Sequence, residues 1–180
     1  MGKGLPRSTA RGNPQITDLS KVRVAQVPLT GTVNVTGVAD AVDAGEIVLS
    51  PDLPEGNILF LGAVANLTVD VTDADMIADW AGDFSIGTVP NSNDVDVGDA
   101  GEADIIPSTQ LAADSGVKVT LPTRGASTAA LSGVIFDNTD GSLELNLNLL
   151  FDDNQITDAA VATVTTSGMM YIAYILLGDD

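Results

Sequence analysis

The sequence predicts an all-β chain: an antiparallel β-sandwich over residues 22–180, preceded by an extended basic arm over residues 1–21 and carrying one short helix. Three observations lead there. Apolar and polar residues alternate with a period of two through most of the chain after Val22, the pattern of strands with one face in a core and the other towards water. The alternating stretches are bounded by Gly, Pro, Asn and Asp, the residues that turns demand. Finally, a compact chain of this size buries roughly 70% of its unfolded surface. It can therefore fold without cross-links, as it must, having no cysteine.

The arm contains Gly2, Gly4, Pro6, Gly12 and Pro14 among small polar residues and shows neither helical nor strand periodicity. The next expected strands are VRVAQVP (22–28), TVNVT (32–36) and EIVLS (46–50). In NILFLGAVANLTVDV (57–71) the odd positions Leu59, Leu61, Ala63, Ala65, Leu67, Val69 and Val71 are all apolar, which predicts one long strand or two broken at Gly62. The segment TDADMIADW (72–80) predicts the helix: Thr72 and Asp75 resemble a capping box, and Met76, Ile77 and Trp80 recur at helical spacing. Trp80 is expected to be a core anchor that plugs one end of the sandwich.

DFSIGTV (83–89) is the next strand, followed by a long polar and acidic loop from Pro90 to Gly116. VKVTL (117–121) and LSGVIF (131–136) follow. In SLELNLNLLF, Leu143, Leu145, Leu147 and Leu149 share one face, while Glu144, Asn146 and Asn148 point the other way. AAVATVTT (159–166) and MMYIAYILL (169–177) complete the set. The last is apolar on both faces, so one face is expected to lie against something besides its own sheet, either a covering segment or a second subunit.

Charge is unevenly placed. Five of the seven basic residues (Lys3, Arg7, Arg11, Lys21, Arg23) lie in the first 23 positions beside a single acid, Asp18, whereas the rest of the chain holds only Lys118 and Arg124 against 24 acids. An acidic body repels phosphate backbones, since nucleic-acid affinity comes largely from cations displacing counterions, so no nucleic-acid partner is expected. The longest apolar run is nine residues, well short of the roughly 20 that a membrane span needs, and no membrane partner is expected. The basic N-terminus lacks an apolar stretch behind it, which argues against a signal peptide.

The chain has no histidine and no cysteine. That removes the commonest general base, the commonest zinc ligands and the strongest soft nucleophile, so no catalytic residues, cofactor or enzymatic activity are expected. Paired carboxylates could hydrolyse glycosides, but the few aromatic residues offer little platform for a sugar. Asp73 with Asp75, Asp94 with Asp96, and Asp152 with Asp153 supply oxygen donors of the kind Ca²⁺ prefers, but none has EF-hand spacing. Solvated turn aspartates are the simpler reading, and no metal site is expected.

From EIVLS onward the segments form a familiar linear series: LPEGNILFLGAVANLTVDV, DADMIADWAGDFSIGT, a variable acidic loop, GSLELNLNLLFDDNQIT and the closing MMYIAYILLGD. Over roughly residues 45–180 this series resembles the jelly-roll decoration, or cement, proteins of tailed-bacteriophage heads. The resemblance implies a jelly-roll sandwich on the outer surface of the virion that stabilises the capsid by bridging major capsid protein subunits, often as a homotrimer. Under it, Lys3, Arg7, Arg11, Lys21 and Arg23 become candidate capsid contacts, and Met169, Met170, Tyr171 and Tyr174 a candidate subunit interface. The alternatives are a carbohydrate-binding or adhesion module, since jelly rolls also host lectins, and a minor tail or baseplate component.

Overall fold

A computed structural model describes residues 21–51, 53–91, 96–99, 101–112 and 118–178. Lys3, Arg7 and Arg11 lie outside them. The described strands are β1 (Arg23–Pro28), β2 (Gly31–Thr36), β3 (Asp43–Leu49), β4 (Asn57–Val71), β5 (Gly82–Gly87), β6 (Ile106–Gln110), β7 (Thr123–Ala126), β8 (Ile135–Phe136), β9 (Leu145–Phe151) and β10 (Val161–Gly178). They form two antiparallel sheets, as the period of two predicts. The six-stranded sheet runs β1-β10-β4-β7, with β2 also on β10 and β8 also on β4; the four-stranded sheet runs β3-β9-β5-β6. Side chains from both inner faces, including Leu67, Val69, Met170 and Ile172 from the first and Phe84, Ile86, Leu147 and Leu149 from the second, form one apolar core.

The two expected C-terminal strands are one. β10 pairs with β4 from Val164↔Val71 to Gly178↔Asn57, and on its other side with β2 and then β1. Gly168 makes this continuity possible, because at φ 146° a Cβ there would lie 2.0 Å from the Asn66 carbonyl oxygen. β4 is also a single strand, but its alternation inverts at Gly62. The pairing steps from Ala173↔Gly62 to Tyr174↔Phe60, so Leu61 is the extra residue of a bulge. The core-facing residues are therefore Ile58 and Phe60 before the bulge and Ala63, Ala65, Leu67, Val69 and Val71 after it, while Leu59 and Leu61 are only half-buried.

The expected helix at 72–80 is absent. The Asp73 carboxylate accepts the Asp75 N–H (3.0 Å) in a turn, Met76 bridges to Ile156, and Asp79 has φ 58°. The backbone there bonds to the segment before β10, with Ile77 N–H donating to the Gln155 carbonyl (3.0 Å). Trp80 is nonetheless a core anchor, fully buried against Phe151 at 4.9 Å between ring centroids, while Ile77 is exposed. The 90–116 segment is not all loop either, since it contains β6, which pairs with β5. VKVTL contributes only an isolated bridge, Asp70↔Val119, and the strand beside β4 is the unpredicted TRGA of β7; LSGVIF shrinks to Ile135–Phe136.

β9 is buried at every position, so Asn146 and Asn148 do not face water. The segment after β5 folds over this outer face and satisfies it. Asn148 donates to the carbonyls of Val89 (3.2 Å) and Glu102 (3.0 Å) and accepts the Asn91 N–H (2.9 Å), while the Ser85 hydroxyl donates to Glu102 (2.8 Å).

Two substitutions test these statements. Gly168→Ala forces the β4 and β10 backbones apart and is expected to lower the unfolding free energy by about 3 kcal/mol in urea denaturation. Asn148→Ala leaves buried backbone groups without partners and is expected to cost about 1–3 kcal/mol, with proteolysis accelerating first within the 88–105 segment.

Candidate interaction surface

The outer face of the six-stranded sheet divides in two along β10. Before Gly168 it presents Thr163, Thr165 and Ser167, beside Thr32 and Asn34 of β2, and the Thr163 hydroxyl donates to the Asn34 side-chain oxygen (3.2 Å). After Gly168 it presents Met169, Tyr171 and Ala173. The registers Val24↔Ala173, Gln26↔Tyr171, Tyr171↔Val64 and Val64↔Ala126 align four strands into an apolar strip: Val24, Ala173, Tyr171, Val64 and Ala126. Val24 is 62% exposed and Tyr171 45% exposed. Together with Gly62 and Ser127 they line a shallow depression of about 400 Å³ in which no lining residue is acidic.

The chain thus treats its two outer faces oppositely. The four-stranded sheet has a polar outer row, Ser85 and Asn148, beneath a covering segment. The six-stranded sheet has an apolar row that nothing covers among the described residues. A strand with one face in the core ordinarily turns polar side chains outward, so the uncovered apolar row is a candidate contact surface.

The candidate interface residues separate accordingly. Tyr171 and Met169 are on the outer face. Met170 and Tyr174 are buried in the core, both by the alternation that also buries Ile172 between them, and they cannot contribute to a surface. Of the candidate arm contacts, Lys21 and Arg23 are described and exposed, at the start of the edge strand β1 and directly before Val24. Val24, Val64, Ala126 and the exposed Arg124, two residues along β7 from Ala126, were not foreseen. The signal for β1 was present in VRVAQVP, which is apolar at both parities: Val22 and Val24 on one, Ala25 and Val27 on the other.

Acidic groups collect elsewhere. The turn after β2, the 72–81 segment and the 152–160 segment meet at one end of the sandwich, joined by Gly37 N–H to the Ala160 carbonyl (2.9 Å) and Thr157 N–H to the Asp75 carbonyl (2.8 Å). Asp40, Asp73, Asp75, Asp79, Asp152, Asp153 and Asp158 belong to these segments, and Asp43 begins β3 directly after the turn. β10 runs from this end, where Val161 opposes Thr36, to the end where Tyr174 opposes Arg23. At about 3.3 Å per residue the acidic loops and the basic start of β1 are roughly 40 Å apart.

Within the acidic end Asp43 is buried, 1% exposed, and one carboxylate oxygen has no hydrogen-bond partner while the other accepts the Val38 N–H at 2.8 Å. Burial, reinforced by the charges of Asp153 and Asp158, pushes its carboxyl up from the ordinary 3.8. Burial likewise raises Asp83 and Asp104. Asp137 and Asp140 are lowered instead, by hydrogen bonds from Thr139 and Ser142. Of the aspartate pairs considered as cation ligands, Asp73 accepts the Asp75 N–H and Asp96 the Gly98 N–H (2.7 Å), while Asp94 lies outside the described residues. Among the described residues no group of three or more acidic or imidazole side chains is placed to hold a metal ion.

No protein-family model matches the sequence, and no curated protein matches it. Among solved structures the chain is similar to one from the infectious bursal disease virus Gt strain, with 11% identity and TM-score 0.41, over 85% of this chain and 32% of that one. A chain of the Gx strain gives 10% identity and TM-score 0.41 over 88% and 34%. This chain therefore spans about a third of the length of both. A chain of the cyanophage Pam1 capsid asymmetric unit gives 18% identity and TM-score 0.30 over 86% and 84%. At TM-scores this low the likenesses carry no argument, and the functional reading rests on the chain's own surfaces.

Asp43, Asp83 and Asp104 bind protons more tightly in the folded chain, so stability falls as pH rises from the ordinary value of 3.8 through the raised folded pKa. Asp137 and Asp140 act oppositely and only below 3.8. The melting temperature is accordingly expected to rise as pH is lowered from about 7 towards about 4. Asp43→Asn, which keeps the Val38 bond and removes the buried charge, is expected to melt above the wild type at neutral pH, with the difference vanishing in melts recorded below 3.8.

Proposed function

We propose that this chain is a structural virion protein that decorates the outer surface of a tailed-phage capsid and stabilises it by bridging neighbouring major capsid protein subunits. The observation that carries the reading is the uncovered apolar strip on an otherwise acidic two-sheet scaffold, a surface suited to protein contact. The strand path supports the jelly-roll form of the reading. If β1 with β2 and β7 with β8 are each taken as one, the first, third, sixth and eighth segments make one sheet and the second, fourth, fifth and seventh the other. The sequence resemblance over residues 45–180 points the same way.

Magnitudes favour attachment through several weak contacts. Four strands at about 4.8 Å spacing, and β10 from Met169 to Ala173, bound a strip of about 14 by 14 Å. That is about 200 Å², well under the roughly 800 Å² per partner of a stable two-protein interface. An exposed cation from the arm adds only about 0–1 kcal/mol. Three copies joined as a trimer engage together, and linkage raises the effective concentration of the second and third contacts, so weak elements sum to durable binding. The acidic loops then face solvent, where their charge keeps particles apart.

Deleting residues 1–14, which carry Lys3, Arg7 and Arg11, is expected to abolish co-sedimentation with undecorated heads while leaving the far-ultraviolet circular dichroism and melting temperature unchanged. A truncated chain that binds at full affinity contradicts the arm's role. Counting copies per particle by quantitative mass spectrometry tests the location: hundreds indicate the capsid lattice, whereas a handful indicates a tail or baseplate position and refutes decoration.

A further inference from the structure

We propose that the strip formed by Val24, Tyr171, Ala173, Val64 and Ala126, with Arg124 at its rim, docks on an apolar patch of a partner protein that is itself rimmed by carboxylates. The proposal rests on the decoration reading and deepens it by assigning the capsid-facing side of the sandwich and the chemistry of the surface it meets.

Charge and cover together select the partner's chemistry. The chain carries seven basic residues against 25 acids. Three of the four described cations are exposed: Arg124 lies on the outer row of β7 two residues from Ala126, while Arg23 precedes Val24 but opposes the inward Tyr174, and Lys21 precedes β1. The fourth, Lys118, instead donates to the Asp73 carbonyl at the acidic end. No acid lines the depression, and the nearest carboxylate on the outer row of β4, Asp70, opposes Thr165 in the polar half. A partner that offered cations would be repelled by this rim and would leave the strip's apolar atoms wet. A partner that offered carboxylates around an apolar centre gains at both. The same logic disfavours the chain's own N-terminal segment, whose cations would meet Arg124. It also disfavours a two-fold pairing of strips, which would oppose like charges.

The test is co-sedimentation of full-length chains with heads that lack this protein. Tyr171→Asp and Val24→Asp place an unpaired carboxylate in the contact, and each is expected to weaken binding at least about tenfold. Arg124→Glu is expected to weaken it and to reduce its salt dependence. Thr32→Asp adds the same charge to the polar half of the face and is expected to bind as the wild type does. Circular dichroism and melting curves verify folding of each variant, and an exposed position makes all four tolerable to the sandwich. Wild-type binding that persists in Tyr171→Asp and Val24→Asp overturns the assignment of this face while the decoration reading stands. A wild-type chain that does not bind heads refutes both. Light scattering that shows Tyr171→Asp converting an oligomer to monomers identifies a second copy as the occupant. Tyr171 that resists nitration in the free chain but reacts after deletion of residues 1–14 identifies the arm; either result overturns the proposal.

Discussion

β10 is hydrogen-bonded along its length to β4 on one side and to β2 and then β1 on the other, and this double pairing sets the terms for the rest of the molecule. It demands that two backbones run side by side past Gly168, where no side chain fits. It also requires one strand to be both the centre of a sheet and, on its outer side, the spine of a surface. Because side chains alternate, Met170 and Ile172 must enter the core once Met169 and Tyr171 face outward. The same alternation carries Tyr174 inward after Ala173, while the bulge at Leu61 lies in β4 and changes which β4 residues face the core.

The two sheets then solve the same problem in opposite ways. A sheet in a sandwich has an outer face that must be hydrated, covered or bound. In the four-stranded sheet the outer row carries Asn148 and Ser85, whose side chains bond to the backbone of Val89, Asn91 and Glu102, so this part of the cover is held by specific polar bonds. In the six-stranded sheet the second half of the outer row is apolar and uncovered among the described residues, and it lies next to cations in a molecule that is otherwise strongly acidic. Burying polar groups under the chain's own loop while leaving apolar ones in water is the reverse of what solubility alone would select.

Much of this was legible in the residues, and the failures are local in cause. Period-two alternation located β1, β2, β3, β4, β5, β9 and β10 because each turns alternate side chains into the core between the sheets. It missed β6 and β7, since IPSTQ and TRGA are short and largely polar and owe their strand form to pairing with β5 and β4. It misplaced Asn146 and Asn148 because a covering segment is invisible to the alternation of the strand beneath it. The Met76, Ile77, Trp80 spacing suggested a helix, but Asp73 and Gln155 offered the backbone nearer partners. For the surface, the two-sided apolarity of MMYIAYILL matches a strand with one face in the core and an apolar outer row that is uncovered among the described residues. Alternation separated Met169, Tyr171 and Ala173 from Met170, Ile172 and Tyr174, but which set faces outward depends on how the sheets pack, and the contribution of Val24, Val64, Ala126 and Arg124 depends on registers that join distant segments.

The central claim is that the outer face of the six-stranded sheet is buried against another protein on the assembled particle while the acidic end stays in solvent. Hydroxyl-radical footprinting of the chain, free and on intact particles, measures both at once. The account predicts that oxidation of Tyr171 and Met169 falls sharply on the particle, while Ile77, exposed at the acidic end, is oxidised equally in both states. Unchanged oxidation of Tyr171 and Met169 on the particle, with protection at Ile77 instead, would contradict it.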